Sequence, residues 1–208
     1  DFKLVKNLKF AASCVVFLVI IVILGNSLNT VFLPKYYYNQ KWPTTATYVD
    51  FYKMDEDTVD VLFLGSSHTA SNFIPQQLYD DYGITSYNLG GDQQNLLVSY
   101  YWLKEALRTQ KPKAVILETF LLFDFIPEEP LNSEESYTRK AIDFMKRGPV
   151  KSEAIQAICA ADPDQSLLSY YFTNIRFHSR WTDLTKDDFT FREMTSRKGL
   201  MGYAALGT

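Results

Sequence analysis

Val59-Asp60-Val61-Leu62-Phe63-Leu64-Gly65-Ser66-Ser67-His68 is the stretch that decides how this chain is read. With Thr58 before it, the run through Leu64 (residues 58–64) is dense in Val, Leu and Phe, which suits a strand buried on both faces. A strand that stops on Gly-Ser-Ser delivers a hydroxyl to the carboxyl edge of a sheet. In open α/β folds that edge is where ligands bind and chemistry happens. Residues 75–82 follow as a helix, with Pro75 in its first turn and Gly83 as its stop. The hydroxyls therefore lie between a strand end and a helix, where free backbone N–H groups can hold an oxyanion. The same residues also serve as an ordinary turn and helix cap.

Working outward, residues 85–89 form a second strand, ending at Gly90-Gly91, and residues 114–117 a third, introduced by Lys111-Pro112-Lys113. Between them, residues 93–109 carry Leu96, Leu97, Tyr100, Leu103 and Leu107 at helical spacing. The order β-α-β-α-β predicts a parallel sheet with right-handed crossovers. Residues 127–135 are acidic and Pro-bearing, and read as a solvated surface loop. Helices are predicted over 136–146, 151–160 and 165–184, and no strand among them. The Gly-containing tail 197–208 shows no packing signal. Three strands alone leave the third as an apolar edge. Two explanations stand: the domain continues beyond residue 208, or the three helices cover that edge.

Residues 10–24, FAASCVVFLVIIVIL, carry no charge. As a helix they rise about 22 Å, short of the ~30 Å hydrocarbon core. A snorkelling Lys9, with Leu28 and residues 31–33, closes the gap. Tyr36, Tyr37, Tyr38 and Trp42 follow as an interfacial aromatic belt. Lys3, Lys6 and Lys9 predict a cytoplasmic amino terminus, and everything after residue 34 outside. A cleaved signal peptide, with Gly25-Asn26-Ser27 as a small-x-small site, and a buried helix are the alternatives. The chain thus divides into a cytoplasmic tip and transmembrane signal anchor (1–34), a linker with a short helix (35–57; polar and irregular over 39–57), an α/β core (58–125) and a helical segment (126–208).

The 208 residues have a formal net charge of −3, which suggests no nucleic-acid partner. Cys14 lies inside the apolar segment, so a disulfide with Cys159 is not expected, and both read as unpaired thiols. No metal-ligand spacing and no phosphate-cradling Gly-rich loop occurs, so no cofactor or metal is expected.

A serine acts as a nucleophile only with a base and with donors for the oxyanion. Ser67 is the candidate nucleophile, its own N–H one donor and a glycine N–H at the end of the second strand another. Ser66, His68, Asn88 and Glu118 are pocket candidates, with Asp92 and Asp124 as further carboxylates. A paired structural role also fits Glu118. His68 adjoins Ser67 and diverges from it, so it lines the pocket or caps the turn. His178, on a predicted helix, is a weak candidate for the base and reads more readily as structural or substrate-facing.

Residues 61–67 (VLFLGSS), 87–91 (YNLGG) and 111–118 (KPKAVILE) together resemble the SGNH, or GDSL-like, hydrolases. The resemblance is closest to their membrane-anchored DltD-like branch, associated with acyltransferases of bacterial surface polysaccharides. It implies a three-layer α/β/α flavodoxin-like fold, Ser67 as nucleophile with Ser66 in place of the family's Asp, and Gly90 as oxyanion donor. It also implies acyl transfer at the bacterial cell envelope. The expected partners are the membrane, an acylated cell-surface glycan or teichoic-acid-like polymer, and a multi-pass membrane acyltransferase. The resemblance covers roughly residues 45–125. The family's third block, Gly-x-Asn-Asp, and its last, Asp-x-x-His, are missing, so the base is expected beyond residue 208. A non-catalytic binding or assembly module with the same fold is the other reading.

Overall fold

The computed structural model describes residues 2–34, 43–123, 131, 134–190, 196–197 and 199–204. The chain forms two compact units, one of residues 1–35 with 168–192 and one of 36–167 with 193–208. The aromatic belt at 36–38 and 42, Asp124, and most of the acidic stretch 127–135 lie outside the described residues.

In chain order, α1 (Phe2–Phe32) is followed by α2 (Pro43–Phe51), β1 (Val61–Gly65), α3 (Ser67–Asn72) and α4 (Pro75–Tyr82). Then come β2 (Ser86–Gly90), α5 (Leu96–Ala106), β3 (Ala114–Leu117), α6 (Phe120–Phe123), α7 (Glu135–Ile142) and α8 (Pro149–Ala161). The second unit is an α/β assembly around one parallel sheet of order β2-β1-β3. Val61 pairs with Ser86 and with Ala114, and the register runs on to Gly65–Gly90 and Leu64–Leu117. The alternation read from the sequence therefore produces the expected parallel pairing, with β1 in the centre.

The core is built on the central strand and its crossovers. Leu62, Leu89, Val98 and Trp102 are fully buried. The segment read as a linker contributes to this core, because α2 inserts Tyr48 and Phe51. Tyr48 stacks on Trp102 at 4.8 Å, and Phe51 meets Tyr87 edge-on at 5.3 Å. The Tyr48 hydroxyl donates to Gln94 Oε1. Gln94 in turn donates to the Leu89 carbonyl at 3.0 Å and to Ser99 Oγ at 2.9 Å. A buried amide thus has its partners, as burial of a polar group requires. Asn95 caps α5, accepting the Val98 N–H at 2.9 Å. Arg139 is buried on α7 between Glu135 and Asp143, each at 3.1 Å. Lys151 Nζ donates to the carbonyls of Asp143 and Met145 at 2.9 Å, satisfying groups left open where α7 ends. Burial holds the Lys151 pKa below that of an ordinary lysine.

Two sequence expectations are corrected. The tail is packed in its described part: Asn88 N–H donates to the Met201 carbonyl at 2.9 Å, and Ala204 N–H to Ala70 at 2.8 Å. Gly202 makes this approach feasible. Its φ is +80°, and a Cβ there would stand 2.0 Å from the Asn88 carbonyl oxygen. The helix expected over 165–184 is broken. It comprises α9 (Leu167–Tyr171), α10 (Thr173–Arg176) and a 3₁₀ turn, His178–Thr182. Phe172 is extended (φ −124°, ψ 92°), in an aromatic and β-branched run that holds helical geometry poorly.

β3 is apolar yet exposed along its length, with Val115, Ile116 and Leu117 each more than 40% accessible. None of the described helices covers it.

In the other unit, α1 is longer than the apolar run suggests. Residues Val5–Phe32 form one helix long and apolar enough to cross a membrane, with mean hydropathy 2.7 over its apolar 18-residue window. Twenty-eight residues rise about 42 Å, so the deficit computed for 10–24 disappears. Gly25, Asn26 and Ser27 lie within the helix. At its carboxyl end the Arg180 guanidinium donates to the Phe32 carbonyl at 2.6 Å and to Asp188 at 2.8 Å. Asn174 N–H donates to Asn29 Oδ1 at 3.2 Å. Cys14, exposed on α1, and Cys159, on α8, are both free.

Trp102 tests the core. Trp102→Ala is expected to destabilise the fold by about 3–5 kcal/mol. Its indole N–H has no partner among the described residues, so Trp102→Phe should cost much less. Denaturant titration of the detergent-solubilised chain measures both.

Candidate active site

The chain order reverses at β1, which has β2 on one side and β3 on the other. Such reversals open a crevice at the carboxyl ends of the strands. Ser66 and Ser67 follow β1 there, and Glu118 follows β3.

Ser66 is the N-cap of α3, with extended backbone (φ −79°, ψ −162°), and its Oγ accepts the His68 N–H at 3.3 Å. The Ser66 hydroxyl donates to Glu118 Oε2 at 2.6 Å, and the Ser66 N–H donates to the same oxygen at 3.0 Å. Glu118 Oε1 accepts the Phe120 N–H. Burial pushes the Glu118 carboxyl up. Its hydrogen bonds from Ser66 and Phe120 and the coulombic pull of His68 outweigh that, so its pKa falls below the ordinary value. Ser66 is thus a buried structural hydroxyl already engaged as donor and acceptor.

Ser67 is the first residue of α3 and is half-buried. Its hydroxyl has no hydrogen-bond partner among the described residues. His68 is exposed and sets its ring edge-to-face against Phe120 at 4.5 Å, so the two neighbours of Ser67 both touch the Glu118–Phe120 segment.

Glycine is required at both flanking strand ends. Gly65 has φ +150°, and a Cβ there would meet Thr69 Oγ1 at 2.5 Å and Glu118 Cβ at 2.6 Å. At Gly90 a Cβ would lie 2.7 Å from Thr69 Cβ and 2.9 Å from the Ser66 carbonyl oxygen. Strand alternation points the Gly90 N–H, like that of Asn88, away from β1. No sequence pattern marks Thr69, which is fully buried between these glycines with Oγ1 unpartnered among the described residues.

Asn88 is fully buried and donates to the Phe73 carbonyl at 2.8 Å, so it holds the end of α3. Asp92 pairs with Lys140 at 3.3 Å. His178 belongs to the unit that contains α1, where its Nδ1 lies 2.8 Å from the Ile175 carbonyl oxygen. Among the described residues no group of three His, Cys, Asp or Glu side chains could hold a metal. A separate cavity of about 470 Å³ lies at the amino ends of the strands, between Val59, Ser86, Pro75, Tyr79 and Met201.

Comparison with protein-family models, curated proteins and solved structures finds no match to this chain.

The close approach at Gly90 is testable. Gly90→Ala should cost about 1–3 kcal/mol through overpacking against Thr69 and the Ser66 carbonyl. A thermal unfolding midpoint equal to that of the parent would contradict this reading of the strand ends.

Proposed function

We propose that this chain is an SGNH-like serine esterase or O-acyltransferase of the bacterial cell envelope, a DltD-like single-pass membrane protein. The observation that carries the reading is the division of labour at the end of β1. Ser66 is tied to Glu118, while the adjacent Ser67 hydroxyl is without a partner among the described residues, beside the glycine that ends β2. In this reading Ser67 Oγ attacks the carbonyl carbon of an ester or thioester and gives its proton to a base, and the alcohol or thiol leaves. The acyl-serine then passes its acyl group to water or to a hydroxyl of a cell-surface glycan or teichoic-acid-like polymer. The Ser67 N–H is assigned to the oxyanion; the Gly90 N–H, expected as the second donor, points away from β1, and Gly90 contributes instead by leaving the strand end free of a side chain. The parallel sheet belongs to a three-layer α/β/α flavodoxin-like domain. α1 spans the membrane with its lysine-bearing end in the cytoplasm, and the sheet unit works outside, next to a multi-pass acyltransferase.

A second reading has its own observation. Among the described residues no histidine hydrogen-bonds Ser67. That favours a non-catalytic binding or assembly module that keeps the fold.

A fluorophosphonate probe separates the two on the full-length chain. Labelling is expected at Ser67, lost in Ser67→Ala and retained in Ser66→Ala. Labelling that persists in Ser67→Ala removes Ser67 as nucleophile, and no labelling of the parent selects the binding module. For topology, Glu56→Cys in a Cys14→Ser, Cys159→Ser background should react with a membrane-impermeant maleimide on intact cells. Reaction only after the cells are opened would reverse the orientation.

A further inference from the structure

The unit built around α1 exposes large apolar side chains that belong to no core. Leu168 is 55% accessible, Phe172 46%, Ile175 42%, Trp181 71% and Phe189 69%. Scattered exposed apolar residues are ordinary, but five within one short segment form a surface that needs an occupant.

The hydrogen bonds of that segment give its depth. Arg180 holds the carbonyl of Phe32, the last residue of the apolar span Val5–Phe32. Asn174 holds Asn29, one turn earlier. The span is about 42 Å long against a hydrocarbon core of about 30 Å, so its last turn lies at headgroup level when it crosses a bilayer. Residues fastened to that turn lie at the same level. There Trp is favoured, because its amphipathic ring sits well between headgroups and acyl chains, and Phe and Leu bury apolar side chains at the acyl boundary.

We infer that residues 168–190 form an interfacial collar around the carboxyl end of α1, with the phospholipid surface as its occupant. The inference rests on α1 spanning the membrane. The collar is held by apolar burial and not by charge attraction. Its three cations, Arg176, Arg180 and Lys186, are balanced by three carboxylates, Asp183, Asp187 and Asp188. Arg180 is also paired within the collar, to Asp188. Burial pushes the Asp188 carboxyl up, but the Thr185 N–H and Arg180 more than offset it, so it stays ionised across neutral pH. The collar should therefore bind neutral phosphatidylcholine as well as anionic lipid.

The full-length chain, reconstituted in phosphatidylcholine vesicles doped with brominated lipid, tests this. The difference in tryptophan emission between the parent and Trp181→Phe isolates Trp181, an exposed position at which folding is not at stake. That component should be quenched strongly by lipid brominated near the headgroup and weakly by lipid brominated near the bilayer centre. Aqueous iodide should barely reach it, and adding phosphatidylglycerol should change little. In the Trp181→Phe background, Phe189→Trp should restore the shallow quenching. Phe17→Trp, midway along α1, should instead be quenched from the bilayer centre. If Phe17→Trp is quenched there and Trp181 answers only to iodide, the collar is overturned and the span stands. If Phe17→Trp is not quenched either, the span and the collar fall together.

Discussion

The hydrogen bonds from Ser66 to Glu118 govern the carboxyl end of the sheet. They join the ends of β1 and β3 across the point where the chain order reverses. Three donors meet this half-buried carboxylate and favour its charged form. With Ser66 engaged, the backbone turns directly into α3 and presents Ser67 next. Gly65 and Gly90 allow this because neither places a Cβ where Thr69 must pack. One carboxylate and two missing side chains thus set the geometry of the whole candidate site.

The rest of the unit supports that end from a distance. β1 pairs on both sides and is buried except at its first residue. The aromatic group of Tyr48, Phe51, Tyr87 and Trp102 fixes α2 and α5 against the strands. Gln94 links that group to the β2 backbone at Leu89. A side chain drawn from a polar, irregular-looking stretch thereby helps to define where β2 ends, and with it the position of Gly90.

What could be read from the sequence was local. The strand run at 59–64, the Pro75 start and Gly83 stop, and the helical spacing of residues 96–107 are all short-range patterns, and each marks a real element. What could not be read depended on distant partners. The partner of Ser66 lies fifty-two residues away, with no periodicity to announce it. Tyr48 and Phe51 sit among polar neighbours, so α2 reads as a linker until Trp102 is brought against it. The tail looks unpacked because its packing uses backbone groups and glycines, which carry no apolar signal. The helix over 165–184 breaks at Phe172, where the aromatic and β-branched run turns extended.

The two edges of the sheet are finished differently. Along β2 the backbone is stoppered by Met201 and the turn at Gly202, so an incoming strand would first have to displace them. Along β3 the described residues leave a bare apolar strand. Growth of this sheet is therefore directional: another strand, from this chain or another, joins at β3 without displacing anything described.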